Sequence, residues 1–196
     1  MRLQQELGVA LAKEEFEVLY QPQVNLHTGE VSGFEALVRW QHTERGLISP
    51  GDFIPVAEET GQIVPLGTWV LRQSCVEARN WPAHLRVAVN LSAVQFRSSS
   101  VVDLVEQALA DSGLPASRLE LEITESALID DHEGAQATLM ALRERGVRVA
   151  LDDFGTGYSS LAYLRRFTMD KLKIDGSFVR SLAPVSYTHL TLPTSE

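Results

Sequence analysis

The strongest constraint on this chain is a parity split that recurs in four short β-prone segments. Val87, Val89 and Leu91 alternate with Arg86, Ala88 and Asn90. Leu119, Leu121 and Ile123 alternate with Glu120, Glu122 and Thr124, and Val147, Val149 and Leu151 with Arg148, Ala150 and Asp152. Leu172 and Ile174 are set in the same way against Lys171, Lys173 and Asp175. Successive side chains of a strand point to opposite faces, so each segment has one apolar face and one that turns polar. In a parallel sheet wrapped by helices the apolar face packs on the helices, which leaves the polar set pointing inward. That geometry is a barrel interior. The polar groups gather toward the C-terminal strand ends at Glu35, Asn90, Glu122 and Asp152, where (β/α)8 barrels place their chemistry. An open, doubly wound sheet is the alternative, but it would bury both strand faces and disfavour so many inward charges.

The rest of the chain agrees with an α/β class. Strands are expected at residues 16–26, 31–40, 85–91, 119–124, 147–152 and 171–174. Helices are expected at 49–60, 63–80, 101–112, 131–145 (closed by Gly146) and 159–166, after an amphipathic opening helix at 2–13. With 196 residues, 44% of them hydrophobic, the chain can build a sizeable core, which excludes whole-chain disorder. The 17 Lys+Arg against 26 Asp+Glu give a net charge of −9. No basic surface can therefore hold a polyphosphate backbone by charge alone, and a DNA or RNA polymer is not an expected partner. The single cysteine, Cys75, excludes an internal disulfide and a Cys-rich zinc site, and is expected in the core of an apolar helix face. Neither a run of about 18 apolar residues nor a signal-peptide stretch occurs, so a cytoplasmic location is expected, with any membrane anchor of the parent lying upstream.

Glu35, Glu122, Asp152 and Asp153 would converge with Asn90 at one barrel mouth, which creates a charge problem. Two carboxylates about 4 Å apart repel by roughly 4 kcal/mol at an effective dielectric near 20. The remedies are protonation, neutralisation by Lys or Arg, or a divalent ion, and the last also supplies reactivity. An all-oxygen donor set suits Mg²⁺ or Mn²⁺ over zinc, since none of the five histidines sits at metal-ligand spacing with another. The bland reading of each acid is a solvated strand end or a helix N-cap. The segment from Asp152 to Ser160 lacks the Lys-Ser/Thr ending of a P-loop and the third glycine of a dinucleotide fingerprint. It reads as a tight turn with Asp153 already in the loop. Arg39 shares parity with Glu35, and its bland role is a strand-end ion pair.

Five motifs in order, Glu35-Ala36-Leu37-Val38-Arg39-Trp40, Asn90-Leu91-Ser92, Glu122-Ile123-Thr124-Glu125, Asp152-Asp153-Phe154-Gly155-Thr156-Gly157 and Lys171-Leu172-Lys173-Ile174-Asp175, resemble the EAL-domain family of cyclic di-GMP phosphodiesterases. The resemblance implies a TIM-like (β/α)8 barrel that opens cyclic di-GMP to linear pGpG at a two-metal Mg²⁺ or Mn²⁺ site in bacterial signalling. It implies metal ligation by Glu35, Asn90, Glu122, Asp152 and Asp153, with Glu35 and Lys173 as the catalytic pair and Lys173 ordering the attacking water. It further implies that Arg39 grips a substrate phosphate, Gln21 contacts the ligand and Glu125 holds the glycine loop.

The same comparison sets expectations about organisation. Residues 1–15 would be a connector from an upstream sensory or GGDEF-type domain, residues 16–183 the phosphodiesterase domain, and residues 184–196 an unmatched tail of foreign sequence. Such a barrel typically needs about 250 residues, so the last two β/α units and a further glutamate-bearing segment of the family are expected to be missing. Little activity and poor stability would follow for the isolated chain, with a homodimer as one way to cover its open edges. The competing function is a catalytically inactive receptor or regulatory module that binds cyclic di-GMP. A different TIM-barrel metalloenzyme is a weaker third.

Overall fold

A computed structural model describes residues 2–98, 100–129, 131–154 and 167–174. The expected loop at 155–160, the helix at 159–166 and the 184–196 tail lie outside the described residues. The elements are α1 (Arg2–Ala10), β1 (Phe16–Val24), β2 (Val31–His42), β3 (Gly46–Ile48), α2 (Pro50–Glu59), α3 (Ile63–Arg79) and β4 (Arg86–Leu91). There follow α4 (Ala93–Phe96), α5 (Val101–Ser112), β5 (Leu119–Thr124), α6 (Ser126–Ile129), α7 (His132–Glu144), β6 (Arg148–Phe154) and β7 (Lys171–Ile174).

One sheet runs in the order β1-β2-β4-β5-β6-β7, with β3 added beside β2. From β2 onward the main path is parallel. The first pair is not: β1 runs antiparallel to β2, a departure from the all-parallel ladder of a regular (β/α)8 barrel. The cause is the short link between them. Residues 25–30 form a turn in which Asn25 Oδ1 accepts from the His27 amide at 2.9 Å and Gly29 adopts φ +73°. A parallel pair needs a crossover of a dozen or more residues, which this link cannot provide. The strand β3, too short to show a period, forms a second hairpin on β2 and extends that strand to His42.

The parity split holds through β4, β5 and β6; in β7 Lys171 and Lys173 still turn inward, but Leu172 and Ile174 are exposed, against the expectation of an outer face packed on helices. Val87, Val89, Leu119, Leu121, Ile123, Val149 and Leu151 are buried on the outer face, among the hydrophobic residues of α3, α5 and α7 that complete the core. Burying each such side chain stabilises the fold by roughly 1.5–3 kcal/mol. Phe16, Trp40 and Phe53 stack at the outer face of β1 and β2, with ring centroids 5.4–5.8 Å apart. Cys75 is fully buried in α3, as its helix face predicts, and burial pushes its thiol up to about 12. Leu7 and Ala10 bring α1 into the same core.

Local sequence explains the helix boundaries near the mouth. Ser92 caps α4 in a reciprocal box with Gln95: its Oγ accepts from the Gln95 amide at 3.2 Å, and Gln95 Oε1 accepts from the Ser92 amide at 3.3 Å. Gly67 of α3 makes room for that arrangement, because a Cβ there would lie 1.9 Å from Gln95 Nε2. Asp131 caps α7 through the Gly134 amide, and the αL residue Gly146 ends it.

Candidate active site

The strand ends deliver most of the expected acids to one place. Glu35 arrives from β2, Glu122 from β5 and Asp152 from β6, with oxygen atoms all within 4.8 Å of one another. Asn90 of β4 donates from Nδ2 to Glu35 Oε1 at 2.9 Å, which orients that carboxylate. Lys173 of β7 stands among them. Its Nζ donates to Glu122 Oε2 at 2.5 Å, Asp152 Oδ2 at 2.9 Å and Glu35 Oε2 at 3.1 Å.

One ammonium facing three carboxylates leaves the cluster under-neutralised. Burial raises the Glu122 carboxyl to about 7; the hydrogen bond and charge of Lys173 oppose that rise, and the charges of Glu35 and Asp152 add to it. For Lys173, burial alone would lower the ammonium, but bonds and charge from Glu122, then Asp152 and Glu35, carry it above the ordinary lysine value. The donor set is hard oxygen at close range, so the residues present fit Mg²⁺ or Mn²⁺.

Asp153 takes a different place. It follows Asp152 within β6 with φ +56°, the left-handed region that an aspartate tolerates better than most residues. Its amide donates to Asp152 Oδ1 at 2.9 Å. The ladder to β7 shifts register between Leu151 and Phe154, so the acid pair is separated by a bulge inside the strand where the sequence suggests a strand end. Asp153 is exposed, is absent from the close carboxylate cluster, and helps set the position of Asp152.

Gln21 and Arg39 lie along the rim. Gln21 pairs opposite Glu35 in the antiparallel register, on the same face, and is exposed. Arg39 emerges four pairs further along β2, on the same face, and donates from Nη1 to the Val38 carbonyl at 2.8 Å. It lines a cavity of about 460 Å³ together with Asn90, Ser92, Arg97 and Thr124, and Ile54, Leu66 and Val70 supply an apolar wall. None of the three carboxylates lines the cavity, which meets the cluster through Asn90, the partner of Glu35; its cationic donor and apolar wall suit a phosphorylated ligand with a flat apolar part. Glu125 sits on the turn after β5, its carbonyl accepting from the Leu128 amide at 3.0 Å; the glycine loop assigned to it lies outside the described residues.

A lower layer of interior residues has no counterpart among the candidate site residues. Gln23, Glu120, Arg148 and Lys171 bond or pair beneath the mouth. Parity alone placed Glu120, Arg148 and Lys171 on the inner face. Gln23 is found only once β1 is known to stand beside β7.

Comparison with known proteins bears on the whole arrangement. The EAL domain family matches residues 4–188. The uncharacterized protein y4lL of Sinorhizobium fredii is 56% identical over 181 residues, covering 92% of this chain and 22% of that protein. Cyclic di-GMP phosphodiesterase NbdA of Pseudomonas aeruginosa is 46% identical over 186 residues, 93% of this chain and 24% of its own length. Among solved structures, the PaMucR phosphodiesterase in complex with c-di-GMP matches with a TM-score of 0.89 at 44% identity, over 95% of this chain and 77% of that one. The chain thus spans about a quarter of the length of the curated relatives it matches. The likeness to that structure makes the mostly parallel α/β sheet a TIM-like barrel.

Proposed function

This chain belongs to the EAL domain family, and from that membership and the mouth geometry we propose that the protein carrying it hydrolyses cyclic di-GMP to linear pGpG with Mg²⁺ or Mn²⁺. The observation that carries the reading is the convergence of Glu35, Glu122 and Asp152 within 4.8 Å, beside a cavity that Arg39 lines. Relatives named as cyclic di-GMP phosphodiesterases support it.

Each residue has a task derived from its position. Glu35, Glu122 and Asp152, with Asn90 beside them, would hold the divalent cation, and Asp153 would fix Asp152 through its amide. A bound divalent cation would polarise the phosphoryl oxygens, acidify a water and steady the leaving oxygen. Lys173 reaches all three carboxylates; with a cation sharing that charge, one of its three donor hydrogens would be released to orient the attacking water. Arg39 has donors left after its bond to Val38, and its planar guanidinium suits two oxygens of one phosphate. Gln21 offers an amide to the ligand from the rim. Water oxygen bonds to phosphorus as one ring P–O bond breaks; one of the water's protons ends on the departing ribose oxygen, which becomes a free hydroxyl, and the other stays on the new phosphate monoester or is released as it ionises.

MucR is described as a bifunctional diguanylate cyclase/cyclic di-GMP phosphodiesterase, which supports a GGDEF-type domain as a partner. No helix among the described residues is long and apolar enough to cross a membrane. The test is the full reading frame that carries this chain, purified and given cyclic di-GMP in Mn²⁺, Mg²⁺ or EDTA, with products separated by chromatography. We expect pGpG in both metals and none in EDTA. Tight binding without turnover would favour the receptor function, and turnover unaffected by EDTA would remove the metal from the account.

A further inference from the structure

Beneath the mouth, the barrel interior holds polar side chains that the proposed chemistry does not use. Glu120, 5% exposed, lies on the inner face of β5 two residues before Glu122. Lys171, two residues before Lys173 on β7, donates to Glu120 Oε1 at 2.8 Å and to Gln23 Oε1 at 3.0 Å. The other end of the Gln23 amide, Nε2, lies 3.4 Å from Glu122 Oε1 and donates to it.

An ammonium can only donate, so Lys171 determines which end of the Gln23 amide is oxygen. The NH₂ is thereby turned upward to Glu122. The two oxygens of Glu122 are then divided, Oε1 held by Gln23 from below and Oε2 presented to Lys173 at the mouth. The last torsion of a glutamate is broad and roughly two-fold, so the plane of this carboxylate needs an external hold.

We infer that Gln23 is a positioning residue for Glu122: aimed by Lys171, it fixes the Glu122 carboxylate with one oxygen facing the cation site. The assignment rests on the divalent-cation reading of the mouth. Hydrogen-bond partners of ligating carboxylates typically change metal affinity by about 10–100-fold when removed. Gln23 also ties β1 to β7, which share no ladder among the described residues, so seam closure alone is the competing role.

The experiment separates the two in the full reading frame that carries this chain, using Mn²⁺ as probe. Gln23→Met keeps length and removes both polar contacts. Mn²⁺ affinity is expected to weaken about tenfold, and the Mn²⁺-induced rise in melting temperature to shrink, while the melt in EDTA shifts little. Lys171→Met, which leaves the Gln23 amide unaimed, should weaken Mn²⁺ affinity to a smaller extent, and its melt in EDTA also falls because Glu120 loses a partner. In a Glu122→Ala background, Gln23→Met should weaken Mn²⁺ no further. The inference is overturned if both single variants stay within about twofold of the unaltered chain in Mn²⁺ affinity. It is also overturned if the melt of Gln23→Met falls equally in EDTA and Mn²⁺, which is the signature of seam closure. Should Gln23→Met lose a cooperative melt, the Mn²⁺ affinity of Lys171→Met decides. Absence of Mn²⁺ binding by the unaltered chain would bring down the cation reading and this assignment with it.

Discussion

Two layers of charge lie inside the same barrel, about two residues or roughly 7 Å apart along the strands, and they are balanced in opposite ways. In the floor layer one carboxylate, Glu120, faces two cations, Lys171 at 2.8 Å and Arg148 at 3.6 Å, a formal balance of +1. In the mouth layer three carboxylates, Glu35, Glu122 and Asp152, face Lys173 alone among the described residues, a formal balance of −2 there. Both layers use the inner-face positions of β5, β6 and β7, so burial does not explain the difference. The floor shows that this fold can supply enough cationic side chains to satisfy a buried acid. Among the described residues the mouth is left short of positive charge, which is the condition for a site completed by a ligand from outside.

The largest expected separation between the layers is in turnover. Glu35→Ala should lower phosphodiesterase activity at limiting Mg²⁺ by more than about a hundredfold, beyond the range for a residue acting through a ligand, while the melt in EDTA is retained because a repulsive carboxylate has gone. Unchanged turnover would remove Glu35 from the site.

Cation-free stability gives the next contrast. Lys173→Met leaves three carboxylates facing one another, and its loss should fall below the about 3–5 kcal/mol of a fully buried pair, because the Lys173 side chain is 22% exposed. Mn²⁺ should restore most of it. Lys171→Met leaves Arg148 beside Glu120 and should cost about 1–2 kcal/mol, with less recovery in Mn²⁺. Denaturant titrations in EDTA and in Mn²⁺ check both, and equal recovery would break the distinction between floor and mouth.

A smaller effect is expected at the rim. Arg39→Ala should weaken cyclic di-GMP binding about tenfold, as expected for a lost charge-assisted hydrogen bond, with Mn²⁺ affinity unchanged. Measured in Ca²⁺ to block chemistry, an unaltered nucleotide affinity would return Arg39 to a purely structural part.

The inner and outer faces were legible in the sequence because parity needs only local information. Val87, Leu121 and Val149 are buried outside, and Glu122 and Asp152 point in, as alternation requires. The convergence of Glu35, Glu122 and Asp152 followed from placing polar residues at C-terminal strand ends. What stayed hidden depends on partners distant in sequence or on elements too short to show a period. Gln23 and Lys171 are 148 positions apart and meet only because the sheet curves β7 round to β1. The four-residue helices α4 and α6 and the three-residue β3 hold less than two periods of any pattern. The bulge at Asp153 was invisible because an acid pair at a strand end and one split by a left-handed residue have the same sequence. The antiparallel start was readable in principle from the short link between β1 and β2.

A third buried acid sharpens the contrast, with the smallest expected effect. Glu15, 4% exposed, sits outside the barrel interior and is held mainly by neutral donors, Trp40 Nε1 at 2.9 Å and Thr43 Oγ1 at 3.0 Å. The Trp40 bond is the chief reason its carboxyl lies below the ordinary value; burial opposes it, and Thr43 and the charges of His42 and Lys13 assist. A carboxyl lowered in the folded state contributes stability in full above its unfolded value of about 4.3 and loses it as pH falls through the folded value. Glu15→Gln lacks that ionisation. The stability gap between the parent chain and Glu15→Gln should therefore be flat above about pH 5 and narrow on further acidification. Melts across that range check this, with Trp40 fluorescence as a local probe. A gap that persists into strong acid would mean that the charged form of Glu15 is not what Trp40 stabilises, and that neutral dipoles cannot replace the cations that the floor layer uses.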